Sequence, residues 1–205
     1  MSGPPDVPTT IDFKNPSEAE AWTENAPDRR GFFDAFAASL EKHGRGNLRV
    51  LELGSGPGLL AERLLHNHAI DAYVLLDFSE AMHDIARPRF YEDMDRVSFE
   101  TRDFRDDDWM EGLGKFDVIV TQEAAHEVRH KRKLPAFLIQ AHDALRLGGA
   151  FLYCDYYSEP GKSARNPLLY FSKTEQPHAL RKAGFKDVVL LKDEDGMALY
   201  RGLAA

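Results

Sequence analysis

The run Val50-Leu51-Glu52-Leu53-Gly54-Ser55-Gly56-Pro57-Gly58 constrains this chain more than any other stretch. An apolar segment of strand character carries one carboxylate and passes into three alternating glycines. A helical pattern follows at once, Leu59 to Leu65. Strand, tight turn and helix N-terminus in that order leave bare backbone facing one point, where a ligand can lie against it. Each glycine removes a Cβ where the chain must turn sharply or let something come close. Pro57 suits an early helical position, since the N–H it lacks would have had no partner there. The stretch is a cofactor loop.

A nicotinamide fingerprint runs G-x-G-x-x-G. Here the third glycine falls one residue early, and Glu52 stands two residues before the first. The stretch resembles motif I of the class I S-adenosylmethionine-dependent methyltransferases, E/D-x-G-x-G-x-G. Later residues support the resemblance in order. Ala72 to Leu76 reads as a short buried strand ending in Asp77, where an acidic side chain is placed to accept hydrogen bonds from a ribose diol. Phe78 offers an aromatic face for adenine, and Ser79 an N-cap for the helix carrying Met82. A third strand, Val97 to Thr101, leads to Asp103-Phe104, where the family's adenine-amino contact falls. A fourth, Phe116 to Val120, runs into Thr121-Gln122-Glu123. Leu145 to Leu152 resembles the family's helix end, Gly-Gly turn and fifth strand. Ala183-Gly184-Phe185 precedes an apolar strand, and Met197 to Arg201 is a candidate antiparallel strand.

The resemblance covers roughly Arg49 to Arg201. It implies a doubly wound, Rossmann-like α/β sheet of seven strands in the order 3-2-1-4-5-7-6, the last antiparallel. Residues 1–48 then form a flexible tail and lid helices, and residues 49–205 the core of a single domain. It also implies S-adenosylmethionine as the donor, S-adenosylhomocysteine as the product, and no metal. Glu52, Gly54, Ser55, Gly56, Gly58, Asp77, Phe78, Met82, Asp103 and Phe104 would line the donor pocket, with Gln122 contacting the donor through its backbone.

A chain of 205 residues suffices for one compact domain with a real core. Strands alternating with helices argue for a parallel sheet covered on both faces. No apolar stretch reaches the length of a membrane span, and Met1-Ser2-Gly3-Pro4-Pro5 lacks the features of a secretory signal. Cys154 is the only cysteine, which excludes an intrachain disulfide and suits a reducing cytoplasm. In the fifth strand it reads as a buried thiol. The net charge of −8 disfavours nucleic-acid binding. The basic run Arg129-His130-Lys131-Arg132-Lys133 reads as the solvated start of a helix before Pro135, and Asp106-Asp107-Asp108 as a solvated turn and short helix leading to Trp109.

Two helices are expected before the first strand, Pro16 to Asn25 and Asp28 to Lys42. Phe32, Phe33 and Phe36 recur at helical spacing and are assigned to packing on the sheet. In the resembled family this region closes over cofactor and substrate, which makes Trp22 a candidate aromatic face for a sulfonium. Arg29 and Arg30 are candidates for the methionyl carboxylate. The long connection Ser158 to Ser172 lies past the carboxyl end of strand five, where open α/β sheets bind ligands. Ser172-Lys173-Thr174-Glu175 has the form of a capping box, opening a helix that stops near Gly184. His43, His66, His68, His83 and His142 show no partner pattern, and His178 reads as a surface residue.

His126-Glu127-Val128-Arg129-His130 matches H-E-x-x-H, which on a continuous helix would bind zinc and make the chain a metallopeptidase. The segment begins just past a buried strand, where loop is expected, and no third ligand stands at a recognisable spacing. In a methyltransferase the same segment lies beside the methyl donor. His126 is then the first candidate for a general base and Glu123 the second. A merely capping or packing His126 stays open. Asp155-Tyr156-Tyr157 faces the same rim and is a candidate for orienting a polar substrate.

The expectation is an S-adenosylmethionine-dependent methyltransferase acting on an O or N atom of a small molecule, by in-line displacement. Two alternatives stand: a module that binds S-adenosylmethionine without transferring methyl, and a nicotinamide oxidoreductase, which the glycine spacing disfavours. Composition names neither the acceptor nor the oligomeric state.

Overall fold

The computed structural model describes residues 5–43, 48–66, 70–159, 161 and 165–205. Residues 1–4 of the tail, His68, the side chain of His43 and positions 160 and 162–164 of the Ser158–Ser172 connection lie outside the described set. Seven strands are present: β1 (Leu48–Leu53), β2 (Ile70–Asp77), β3 (Val97–Thr101), β4 (Phe116–Gln122), β5 (Leu145–Tyr156), β6 (Lys186–Glu194) and β7 (Met197–Leu203). They form one sheet in the order β3-β2-β1-β4-β5-β7-β6. The pairs β1–β2, β1–β4, β2–β3 and β4–β5 are parallel, whereas β7 runs antiparallel to both β5 and β6. This is the expected doubly wound sheet with its expected strand order.

Alternation along the central strands divides the core into two layers. Leu51, Leu53, Ile119, Phe151 and Tyr153 point to one face and meet α5 (Leu134–Asp143) and α6 (Glu175–Lys182) through Phe137, Leu138 and Leu180. Val50, Val118, Val120, Leu152 and Cys154 point to the other. There α2 (Arg30–His43) and α3 (Leu59–Leu65) bring Phe32, Phe36, Leu40, Leu60 and Leu64. The period of two thus buries both faces, as parallel strands require. Cys154 is buried as expected.

Local signals set the remaining boundaries. Asn15 caps α1 (Pro16–Glu24) by accepting the N–H of Ser17 at 3.0 Å. Ser79 caps α4 (Glu80–Ala86) by accepting from the N–H of Met82 at 3.1 Å. Before α6, the N–H of Glu175 donates to Ser172 Oγ at 3.2 Å and the N–H of Ser172 to Glu175 Oε2 at 2.7 Å, a reciprocal capping box. α1 packs on α4 through Ala19, Ala81 and Met82, with Phe13 and Trp22 against them.

Two expectations need correction. Asp106-Asp107-Asp108 leads through turns with no helix. Trp109, just after it, is buried, its Nε1–H donating to Gln140 Oε1 at 2.9 Å. The basic run is not a solvated helix start, because Arg129 and His130 are buried and Lys131 pairs with Glu175 at 3.1 Å, tying α6 down. Arg129 Nε donates to the Val7 carbonyl and its own carbonyl accepts the Val7 N–H at 2.8 Å, so the N-terminal segment is strapped to the turn after β4. The H-E-x-x-H stretch is a short 3-10 turn, Ala125–Val128, ended by Arg129 at φ 64°. His126 and His130 therefore do not share the face of one helix.

Candidate active site

The carboxyl ends of β1, β2, β4 and β5 open into a cavity of about 510 Å³. The glycine loop forms its floor. Gly54, Gly56 and Gly58 have φ of 72°, 51° and 78°, a region that suits glycine. A Cβ on Gly54 would lie 2.2 Å from Ala124 Cβ, so the loop can hug β4 only without one. Gly54, Ser55 and Gly56 line the cavity. Gly58 instead packs on the Phe90 ring, where a Cβ would come within 2.8 Å, and starts α3.

Asp77 closes the loop from β2. Its Oδ2 accepts the Gly56 N–H at 2.8 Å and its Oδ1 the Ser79 N–H at 2.9 Å. Burial raises its carboxyl to about 6, against those N–H groups. Glu52 is buried beneath the loop and accepts the Tyr73 O–H at 2.7 Å; burial pushes it up to about 8. Phe78, Met82 and Phe104 form the aromatic and apolar wall. Asp103 is held by Arg105 through two oxygens, both 2.9 Å from Nε, and lines an adjoining cavity of about 340 Å³ under the N-terminal segment. The two cavities share Phe13, Phe78, Phe104 and Glu127. Trp22 lies on this side, edge-on to Phe13 at 5.7 Å, which is edge-on to Phe78 at 6.4 Å.

At the other end the chain assembles a polar group from four elements. Glu123, just past β4, has φ 52°, a costly value for a non-glycine residue. That twist presents its carboxylate to Arg29, which sits just before α2 and donates from Nη2 at 2.8 Å and also from Nε. The same guanidinium donates to the Tyr156 hydroxyl. Although burial opposes it, Arg29 holds Glu123 below the usual carboxylate range. Arg30 is exposed and pairs with Asp28.

His126 lies between two carboxylates. Its backbone N–H meets Asp155 Oδ2 at 2.9 Å, its ring Nδ1 lies 2.9 Å from Asp155 Oδ1, and Nε2 is 3.4 Å from Glu127 Oε1. Burial favours the neutral ring, yet Asp155 and then Glu127 push it up to about 10. The Tyr170 ring leans on the imidazole at a centroid distance of 4.9 Å. Ser158 N–H donates to the Phe171 carbonyl at 2.9 Å, and this folds the connection after β5 back over the site.

The geometry brings together Glu52, Gly54, Ser55, Gly56, Asp77, Phe78, Met82, Phe104, Trp22, Gln122, Glu123, His126 and Tyr156 around one cavity. Asp155 serves it from behind His126. Tyr157 is turned away, its hydroxyl donating to Asp193 at 2.9 Å. Arg29 as an ion-pair partner of Glu123, Glu127, Tyr170 and the Phe33 that lines the cavity were not singled out for these positions by the sequence. Ser55 Oγ and Gln122 Oε1 are buried without a hydrogen-bond partner among the described residues. Both residues line the glycine-floored cavity, and buried polar atoms of this kind call for a partner.

Residues 50–149 match the family model of a methyltransferase domain. The sheet order and this match support a class I S-adenosylmethionine-dependent methyltransferase domain. Among curated proteins, a reducing polyketide synthase from Preussia isomera is 31% identical over 110 residues, 53% of this chain and 5% of the synthase. The chain therefore spans only a small part of that relative. An O-methyltransferase family protein from Burkholderia thailandensis superposes with a TM-score of 0.75 at 18% identity, covering 93% of this chain and 59% of that one. A SAM-bound amino pentose methyltransferase from Micromonospora echinaspora gives 0.73 at 15% identity, covering 91% and 95%. No helix among the described residues is long and apolar enough to cross a membrane.

Proposed function

We propose that this chain transfers a methyl group from S-adenosylmethionine to an oxygen or nitrogen of a small-molecule acceptor, by in-line displacement. One observation carries the reading: a single cavity has the glycine loop and Asp77 at one end and the Glu123, His126 and Tyr156 group at the other. A donor seated on the loop would direct its methyl along the cavity toward that group. Holding the two reactants in line supplies much of the rate in such a displacement. Asp77 would take the ribose diol, Phe78 and Phe104 the base, and Ser55 and Gln122 the methionyl end. The volume suits a donor with a small acceptor and is too narrow for a macromolecule to enter whole.

The test is calorimetry with S-adenosylmethionine and S-adenosylhomocysteine, followed by a screen for S-adenosylhomocysteine release. Asp77→Ala is expected to weaken donor affinity about 10- to 100-fold, since a buried diol loses its acceptor. Unchanged affinity in that variant, or binding of NAD in place of S-adenosylmethionine, would overturn the assignment.

A further inference from the structure

Among the described residues, the acceptor end of the cavity lacks a free proton acceptor. Both ring nitrogens of His126 face carboxylate oxygens, Nδ1 toward Asp155 at 2.9 Å and Nε2 toward Glu127 at 3.4 Å. A lone pair on either nitrogen would point at negative charge, so both carry hydrogen and the ring is an imidazolium. Glu123 is committed to the Arg29 guanidinium. Glu127 is held by Arg129 Nη1 at 2.9 Å, and Asp155 is occupied by the backbone and ring of His126. Each carboxylate here has its own cation, and none is left to attract an ammonium group.

The Nε2–H is the donor with capacity to spare. Its 3.4 Å separation from Glu127 exceeds ordinary N–H···O spacing of about 2.7–3.2 Å, and His126 lines the cavity. The rest of the cavity wall is largely apolar, with Phe33, Leu59, Leu60, Pro57 and the Tyr156 ring among its lining residues. We propose that the acceptor is an acid: a small, largely apolar molecule whose nucleophilic atom is an ionised oxygen, a carboxylate or acidic hydroxyl, seated on His126 Nε2–H. This rests on the methyl-transfer reading of the cavity.

The chemistry balances without a base. An oxygen lone pair forms the new C–O bond as the methyl carbon's bond to sulfur breaks, and that electron pair stays on sulfur. Sulfonium and oxyanion become a neutral thioether and an ester or ether, and no proton has to leave. An amine fits the donor poorly, because its single lone pair would be spent on the Nε2–H. An oxyanion keeps further lone pairs for the methyl.

The experiment uses the protein saturated with S-adenosylhomocysteine, verified by calorimetry. A matched set of aryl carboxylates, acidic phenols, arylamines and benzyl alcohols on common ring frames is screened by ligand-observed NMR. The acids are expected to bind, and to lose affinity about tenfold or more in His126→Gln. Preference for amines or alcohols, no binding by any acid, or equal acid binding to His126→Gln would each overturn the proposal. As a reading independent of how that variant folds, 15N NMR is recorded on the histidines of the wild type. Both ring nitrogens of His126 are expected to be protonated at pH 8, and a bare Nε2 would overturn the proposal. If S-adenosylhomocysteine itself fails to bind, it is the donor-site reading that falls.

Discussion

Among the described residues Glu52 has one side-chain hydrogen bond, from Tyr73, and no ion-pair partner. Burial, with Asp77 adding to it, raises its carboxyl from 4.5 to about 8, and the Tyr73 hydrogen bond opposes the shift. The fold therefore prefers the protonated form. That preference contributes fully below pH 4.5 and is lost as pH rises toward 8. Glu52→Gln keeps the neutral form throughout. It is expected to raise Tm at pH 8 by at least about 2–4 °C, the effect of about 1 kcal/mol in a chain of this size, and to change little at pH 4. Calorimetric scans at the two pH values check this, and an equal difference at both would contradict it. The places of Glu52 and Asp77 were legible in the sequence because their chemistry is written in local spacing around a strand end. The Asp155–His126 pair was not, since its members stand 29 residues apart and meet only because β4 and β5 are neighbours. Tyr170 escaped for the same reason, reaching His126 only once its loop folds back.

α2 and the residue just before it are attached to the sheet by two kinds of contact. Phe32, Phe36 and Leu40 bury against one face, a pattern the helical spacing made plain. Arg29 adds a fork to Glu123 and a bond to Tyr156, which ties the helix start to the ends of β4 and β5. Its side chain is only 13% exposed, so loss of the pair leaves Glu123 short of a partner. Arg29→Ala is expected to cost about 1–3 kcal/mol and to speed amide exchange in residues 26–36. Arg29→Lys should restore little of it, because an ammonium cannot bond both oxygens and the phenol in one plane. Hydrogen exchange by mass spectrometry tests both, and unchanged exchange in Arg29→Ala would show that packing alone holds the helix. At this scale charge misled the sequence reading. The run 129–133 looked solvated because five polar residues usually are, yet their partners, Val7 and Glu175, come from distant segments that a local window does not contain.

The buried groups tilt the pH dependence of the whole molecule in one direction. His126, raised from 6.5 to about 10, contributes stability that is complete below pH 6.5 and is lost as pH climbs to 10. Asp77, raised to about 6, and Glu52 add losses that begin at lower pH. On the acid side Glu123 and Glu127, both held below the usual range, contribute above 4.5 and lose their effect as pH falls. Tm is expected to peak near about pH 4.5, where the acid-side gain is nearly complete and the losses at Glu52 and Asp77 take over, and to fall steadily toward 10. Asp155→Asn should flatten the alkaline limb. A Tm that rises between pH 7 and 9 would refute this. The sheet order has a further consequence, for synthesis on the ribosome. β6 pairs with β7 alone, and β7 lies between β6 and β5 although it is made after both. While residues 186–194 leave the exit tunnel they have no neighbour to bond, and β5 presents an open edge beside them. A pause in translation at that point would hold two unpaired strand edges open at once, the state in which a nascent sheet is most exposed to pairing with another chain.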